Sequence, residues 1–282
     1  MPIPFSKTLL YLVSCALTAS AASACTIFVA AKDGAVIAAN NEDFYLDVTP
    51  KLWITAGENG DYGRVCVGFA EKKRARPFAQ GGMNEVGLFF DAAVIPPEPE
   101  PKDKKPKPPE NMGDRMLAEC GTVEEAIAWL GQFNLKIMNG GHFLIADRSG
   151  AAAVVELVDG ELKSFPKTKD YIGVTNFAVA DPSRGNFPCP RFAALKKELT
   201  PEATVTPEFC RDVLNAVAVP RTHDPKTKRD GGTLYSNVCD LKNGVVYLYR
   251  ESRFDKPVVI DVAEHHAKGT AAYDMDDLFE KE

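Results

Sequence analysis

From residue 25 onward, apolar and polar positions alternate in short runs separated by turn residues, the pattern of strands with one face on a core. Cys25-Thr26-Ile27-Phe28-Val29-Ala30-Ala31 is followed by Lys32-Asp33-Gly34 and then by Ala35-Val36-Ile37-Ala38-Ala39. An Asp-Gly pair between two such runs predicts a tight hairpin. Further strands are predicted over residues 52–56, 64–70, 86–94, 142–148, 151–158, 161–165 and 171–177, then over 233–239, 245–250 and 258–262, with an acidic tail after them. Helical spacing is confined to the middle of the chain. Thr122 and Glu125 form a capping box ahead of Ala126, Ile127, Trp129 and Leu130, and two more helices are predicted over 191–199 and 207–218, the second with Thr206 as N-cap and Pro207 in its first turn. Strands outnumber helices and do not alternate with them, which predicts an α+β fold rather than a Rossmann or barrel arrangement. Residues 96–110 have no apolar side chain other than proline and read as an extended, polyproline-like surface loop.

The first 24 residues follow a different pattern. Lys7 is their only charge, residues 8–21 are mostly apolar, and Ala22-Ser23-Ala24 is the small-x-small sequence read by signal peptidase. The apolar run is shorter than the roughly 20 residues of a spanning helix. Residues 1–24 are therefore read as a signal peptide cleaved before Cys25, leaving residues 25–282 as a single exported domain, periplasmic or secreted, with no stable membrane span. Lipidation of Cys25 is the competing fate of a cysteine at this place, although position 22 holds Ala rather than the larger aliphatic residue that lipoprotein signals carry.

Composition changes the picture in two ways. The 282 residues carry 33 basic and 39 acidic side chains, a net charge of -6, with no block of Lys and Arg free of acids or prolines, so nucleic acid is excluded as a partner. The seven cysteines acquire a compartment in which disulfides form, so Cys66, Cys120, Cys189, Cys210 and Cys239 are read as core thiols or disulfide partners. No Gly-rich phosphate loop, Cys-x-x-Cys or His-x-x-x-His occurs, and neither a cofactor nor a metal is expected. The four histidines are scattered, with His142 at a strand start and His265-His266 near the C-terminus read as exposed; a Cys/His pair is not identifiable from them.

Cleavage would give Cys25 a free α-amine. Such an amine titrates near 7.7 and a thiol near 8.5, so one residue would carry both nucleophile and general base. The amine would take the thiol proton during attack on a carbonyl and return it to the departing nitrogen. Asn40-Asn41-Glu42-Asp43 ends the second strand, and a short hairpin brings that end beside Cys25. Asp43 is the candidate carboxylate for holding the amine.

These residues resemble the opening of the N-terminal-nucleophile hydrolases of the choloylglycine hydrolase, penicillin V acylase and acid ceramidase-like group. The resemblance is carried by Cys25-Thr26, the Asp33-Gly34 turn and Asn41-Glu42-Asp43, then by Gly82-Met83-Asn84-Glu85-Val86-Gly87-Leu88, Val174-Thr175-Asn176 and Thr233-Leu234-Tyr235-Ser236-Asn237-Val238, in family order. It implies a four-layer αββα sandwich of mainly antiparallel sheets, hydrolysis of a linear amide in a small N-acyl substrate through a cysteinyl thioester, and no cofactor. It implies Cys25 as nucleophile and base, Asp43 as the partner of the amine and Asn176 as an oxyanion donor. Asn84 and Asp91 are weaker candidates for substrate or oxyanion contacts. The family usually places Arg three residues before the motif aspartate, where this chain has Asn40; Arg64, Arg184 and Arg229 are candidates to replace that cation.

Phe89, Phe90 and Trp53 are candidates for an acyl pocket or, as is commoner for aromatic residues on strands, for the ordinary core. The same opening resembles the cysteine dipeptidase branch, which keeps a peptide substrate in play. A third reading is a noncatalytic exported protein with Cys25 acylated by lipid or bonded to another cysteine. A homo-oligomer is a further expectation, since exposed edge strands find partners.

Overall fold

The computed structural model describes residues 25–69, 78–102 and 104–279; the expected signal peptide lies outside them. Strand β1 (Thr26–Lys32) reverses through Asp33 and Gly34 into β2 (Ala35–Tyr45). Both turn residues have positive φ, 51° and 86°, the conformation that matches the right-handed twist of a two-residue hairpin and that Asp-Gly accommodates. The chain continues through β3 (Lys51–Thr55), β4 (Arg64–Phe69), β5 (Phe78–Asn84), β6 (Phe89–Val94), α1 (Met112–Glu119), α2 (Val123–Leu130), β7 (Gly141–Ala146), β8 (Ala152–Val158), β9 (Glu161–Pro166) and β10 (Tyr171–Val174). It closes with α3 (Pro190–Glu198), α4 (Pro207–Val217), β11 (Thr222–Asp224), β12 (Arg229–Asp240), β13 (Val245–Arg250), β14 (Arg253–Asp261), α5 (Val262–Ala267), β15 (Ala271–Asp274) and α6 (Met275–Phe279).

The strands form two sheets, and every pairing in them is antiparallel. One runs β10-β1-β2-β12-β13-β14, with β11 also paired to β12; the other runs β15-β3-β4-β5-β6-β7-β8-β9. Period-two alternation then sorts the side chains. Ile27, Val29, Val36 and Ala38 of the first sheet meet Leu52, Ile54, Val65, Met83, Phe89 and Leu144 of the second in the central core. Phe28, Ile37, Ala39 and Val238 point the other way and are covered by Leu195 of α3 and Val213, Leu214 and Val217 of α4. The outer face of the second sheet, with Phe90, Phe143 and Val155, is covered by Met116 and Leu117 of α1 and by Trp129 and Leu130 of α2. The order of layers is αββα, as the resemblance implied. No described helix is long and apolar enough to cross a membrane.

Several expectations are corrected. β5 and α1 were not predicted. The segment read as an acidic tail supplies β15, which extends the second sheet beside β3, and α6, whose Met275 is fully buried. The loop over residues 96–110 is tied down rather than merely solvated. The Glu98 amide donates to Asn139 Oδ1 at 2.7 Å, the Asn134 amide donates to the Pro106 carbonyl at 2.8 Å, and Arg184 pairs with Glu98. All six described cysteines are free thiols and all are buried, so the later five serve as core residues. His266 is not an exposed side chain; it pairs with Glu85 at 2.8 Å.

Candidate active site

The hairpin register places Thr26 opposite Asn41. With that register fixed, alternation sends Cys25, Asn40 and Glu42 to the central core and Thr26, Asn41 and Asp43 to the face covered by α3 and α4. The two neighbouring acids thus serve opposite sides of the sheet. Glu42 meets the sulfur, with Cys25 Sγ 3.4 Å from Glu42 Oε2. Asp43 accepts a 2.6 Å hydrogen bond from Thr233 Oγ1 and lies 3.4 Å from the Arg191 guanidinium.

Arg191, in the first turn of α3, joins the parts. Its Nη1 donates to the Cys25 carbonyl and to Thr26 Oγ1, both at 2.8 Å, and its Nη2 donates to Asn176 Oδ1 at 3.0 Å. The Asn176 amide nitrogen in turn donates to the Val94 carbonyl at 2.9 Å. One planar fork therefore fixes the main chain of the cysteine, the motif aspartate and the amide side chain whose N–H groups are the oxyanion donors of the expected site. Burial of Asn176 is anchored from the next residues along. Glu156 accepts hydrogen bonds from the backbone N–H groups of Val179, at 3.0 Å, and Ala180, at 2.7 Å.

Charge at the sulfur is one-sided. Burial pushes the Cys25 thiol well above its ordinary range, the carboxyls of Glu42, Asp43 and Asp91 push it further, and a hydrogen bond from the Asp43 backbone pulls the other way. Glu42 is pushed up to about 8, first by burial and then by Asp43, with Cys25 and Asn40 opposing. Asp43 is pushed up to about 7 by burial, with Arg191 and Thr233 opposing. Asp91 is raised by burial and by Glu42. Gly81 makes room for the Asp91 carboxyl, because a Cβ there would collide with it. Asn40, Asp91 Oδ2 and the Tyr235 hydroxyl are buried in the same region without hydrogen-bond partners of ordinary geometry. A thiol in these surroundings rests protonated and needs a base before it can attack.

The structure thus brings Cys25, Asp43, Asp91 and Asn176 together and leaves Asn84 apart. The Asn84 side chain donates to the carbonyls of Leu117 and Cys120 and accepts from the Leu88 amide, all at 2.8 Å. It closes the β5–β6 turn and holds α1, and both of its amide protons are committed to main-chain carbonyls. The three arginines proposed in place of a cation at Asn40 are engaged elsewhere, Arg64 with Asp114, Arg184 with Glu98 and Arg229 with Asp47. Arg191 is the cation at this cluster, but it reaches Asp43, Thr26 and the Cys25 carbonyl on the helix-covered face rather than the sulfur on the face of Asn40. Of the two readings of the strand aromatics, the structure gives the core one. Phe89 faces the central core and Phe90 the helix layer, while Trp53 donates to Asp114 and lines a cavity of about 530 Å³ whose walls do not include Cys25. Each histidine is paired away from Cys25: His142 with Glu156, His223 with Asp230, His265 with the Asp261 carbonyl and His266 with Glu85.

Sequence reasoning passed over Glu42 and Arg191. Glu42 was readable from alternation, since it shares the parity of Asn40 and faces the way Cys25 does once the hairpin register is set. No local signal marks Arg191, which lies 166 residues from Cys25 in the chain.

Two stacked antiparallel sheets between helical layers, with a cysteine opening an inner strand and an aspartate and an asparagine gathered around it, define the N-terminal-nucleophile class of enzymes. The model of the family described as "Acyl-coenzyme A:6-aminopenicillanic acid acyl-transferase" matches residues 29–254, and the chain belongs to that family. Among solved structures, two variants of the conjugated bile acid hydrolase from Clostridium perfringens are similar at 18% identity and a TM-score of 0.64. One alignment covers 89% of this chain and 96% of that one, the other 88% and 95%. Penicillin V acylase from Agrobacterium tumefaciens is similar at 20% identity and a TM-score of 0.57, over 85% of this chain and 87% of that one. No curated protein matches the sequence.

Proposed function

We propose that this protein is an exported amidase that cleaves the carbon-nitrogen bond of a linear N-acyl amide through a thioester on Cys25. The observation that carries the reading is the Arg191 fork, which ties the Cys25 main chain to Asp43 and Asn176. Removal of residues 1–24 would free the Cys25 amine within reach of this cluster. The amine takes the proton from Sγ as sulfur attacks the carbonyl carbon. The oxygen becomes an oxyanion facing the Asn176 amide, which has a second N–H beyond the one given to Val94. Collapse breaks the C–N bond, and the leaving nitrogen takes the proton from the amine. Water, deprotonated by the same amine, then cleaves the thioester to release the acid and restore the thiol. The raised thiol pKa supports this sequence, because proton removal has to accompany attack. The family description names an acyl transfer, and an amine acceptor in place of water would give that outcome from the same thioester.

Intact-mass measurement on the protein from an exporting host, before and after mixing with N-acyl amides, tests the reading. The expected masses are those of a chain beginning at Cys25 and of its acyl adduct. A lipid adduct on Cys25, or an unprocessed chain that turns over amides at full rate, would overturn it. Running the panel with dipeptides and with added amine acceptors separates amidase, dipeptidase and acyl transfer.

A further inference from the structure

Four large hydrophobic side chains are strongly exposed among the described residues: Val94, Ile137, Phe187 and Val259. Two of the four, Val94 and Phe187, lie on the segments that hold Asn176. The Asn176 side chain donates to the Val94 carbonyl, and the Asn176 backbone carbonyl accepts from the Asn186 amide at 3.0 Å. Scattered exposed side chains need no explanation, but apolar surface gathered around a catalytic group does.

Phe187 is 47% exposed, yet its loop is not loose. Phe177 bridges to Gly185, the Ala178 amide donates to the Arg184 carbonyl at 2.9 Å, and Arg184 donates to the Pro97 carbonyl at 2.8 Å. Beneath it the ring of Phe177, 4% exposed, packs edge-on against both Phe187, at 5.2 Å between centroids, and Phe192, at 4.9 Å. Phe177 directly follows Asn176, and Phe192 directly follows Arg191. The aromatic group is therefore built on the same residues that position the oxyanion donor and the cation, and its outer ring is held open to solvent on a pinned backbone.

We propose that Phe187, supported by Phe177, is the binding platform for the apolar acyl half of the amide substrate. The inference rests on the reading of Cys25 as an acyl-accepting nucleophile. The acyl half is the occupant because it stays attached to sulfur through both chemical steps, so contacts beside the oxyanion donor act on both transition states, whereas the amine leaves after the first. Its chemistry is an apolar acyl group large enough to cover the exposed ring.

The test uses the full chain from an exporting host and two sets of probes. The first is a 4-nitroanilide series with acetyl, butyryl, octanoyl and phenylacetyl groups, beside phenylacetyl amides of different amines. The second is chloroacetamide and N-benzyl chloroacetamide, scored by mass on Cys25 and needing no turnover. Covering the exposed part of one phenyl ring predicts that Phe187→Ala lowers the phenylacetyl-to-acetyl ratio of kcat/KM about tenfold, through KM, and lowers the benzyl-to-unsubstituted labelling ratio by a similar factor. Phe187→Leu should recover most of both. Ratios unchanged in Phe187→Ala would overturn the platform while leaving the amidase standing. Dependence on the amine series alone, or a change of oligomeric mass in Phe187→Ala, would also overturn it, by assigning the ring to the leaving group or to a second copy of the chain. If no amide is cleaved, the amidase reading falls, and the labelling ratio still decides whether Phe187 receives an apolar group next to Cys25.

Discussion

Two buried acids show what kind of interior each part of the molecule is. Glu156, on β8, sits opposite His142 on β7 and accepts hydrogen bonds from the Val179 and Ala180 backbone as well as facing the His142 ring at 3.4 Å. Burial alone would raise this carboxyl, but the hydrogen bonds from His142, Ala180 and Val179 outweigh it and hold Glu156 below the usual range. Glu42 is as deeply buried and has the thiol of Cys25 for company; its carboxyl is pushed up to about 8. Asp91 behind it keeps one oxygen unpartnered. A buried acid held by strong donors stabilises a fold, and one left with weak donors is a cost that structure tolerates where chemistry is done. In this chain the two are connected, because the amides that satisfy Glu156 belong to the loop that carries Asn176.

The comparison can be broken at several points. The largest effect should follow Cys25→Ser, which removes the sulfur and keeps the surroundings. Amide turnover should drop by about 10⁴-fold or more with unchanged circular dichroism; wild-type rates would exclude Cys25 as the nucleophile. Next is Glu156→Ala, which leaves two backbone N–H groups and a histidine without their acceptor. Urea unfolding should show a loss of about 3–5 kcal/mol, as for other buried partners removed singly. A loss below about 1 kcal/mol would mean that the acid is not satisfying this region at all. Asn176→Ala should lower kcat about 100-fold with little change in stability, the usual cost of one oxyanion donor; an equal fall in stability would make Asn176 a structural residue like Glu156.

Arg191→Lys should cost about tenfold in kcat/KM, because a point charge cannot reach Cys25, Asp43 and Asn176 at once as the guanidinium fork does. Kinetics identical to wild type would show that only the charge matters. The smallest effect is a difference in pH dependence. A carboxyl raised by folding is protonated at no cost below its unfolded value near 4.5, and destabilises the fold increasingly as pH rises toward 8. Glu42→Gln should therefore raise the melting temperature at pH 8 by a few degrees, at roughly 2–4 °C per kcal/mol, and hardly change it at pH 5. Glu156 has the opposite sign: its contribution is present above the ordinary carboxyl range and is lost as pH falls through the depressed folded value. Matching pH profiles for the two Gln variants would erase the distinction between the sites.

What was legible in the sequence was whatever is encoded locally. Asp33-Gly34 specifies the hairpin by backbone conformation, and Thr122 with Glu125 specifies the start of α2 by reciprocal hydrogen bonds that the structure contains. Asn176 and Asp43 were reached by motif. β5 was hidden because it follows Pro77 and contains Gly81 and Gly82, residues that read as loop but here allow close approach of Asp91 and of the β4 backbone. α1 begins after Asn111, which stands in a left-handed conformation directly after the proline-rich stretch and accepts from the Ala79 amide instead of capping the helix, so its start is hard to read. Arg191 is a product of tertiary packing: α3 lies against β10 and the first hairpin, and nothing near residue 191 tells of Cys25. Phe89 and Phe90 are core residues because aromatic residues on strands go to whichever core their parity selects.

Parity has one more consequence, for descent rather than for chemistry. The pairing of Thr26 with Asn41 decides which acid faces the sulfur and which faces Arg191. A slip of β2 by one residue would exchange Glu42 and Asp43 between these posts, whereas a slip by two would keep each face for its own set of residues. Insertions and deletions in this hairpin are therefore filtered by an odd-even rule. Lineages that keep the enzyme can vary the first turn only among residues that accept positive φ, and can lengthen or shorten the paired strands only in steps that return the same acid to the same side.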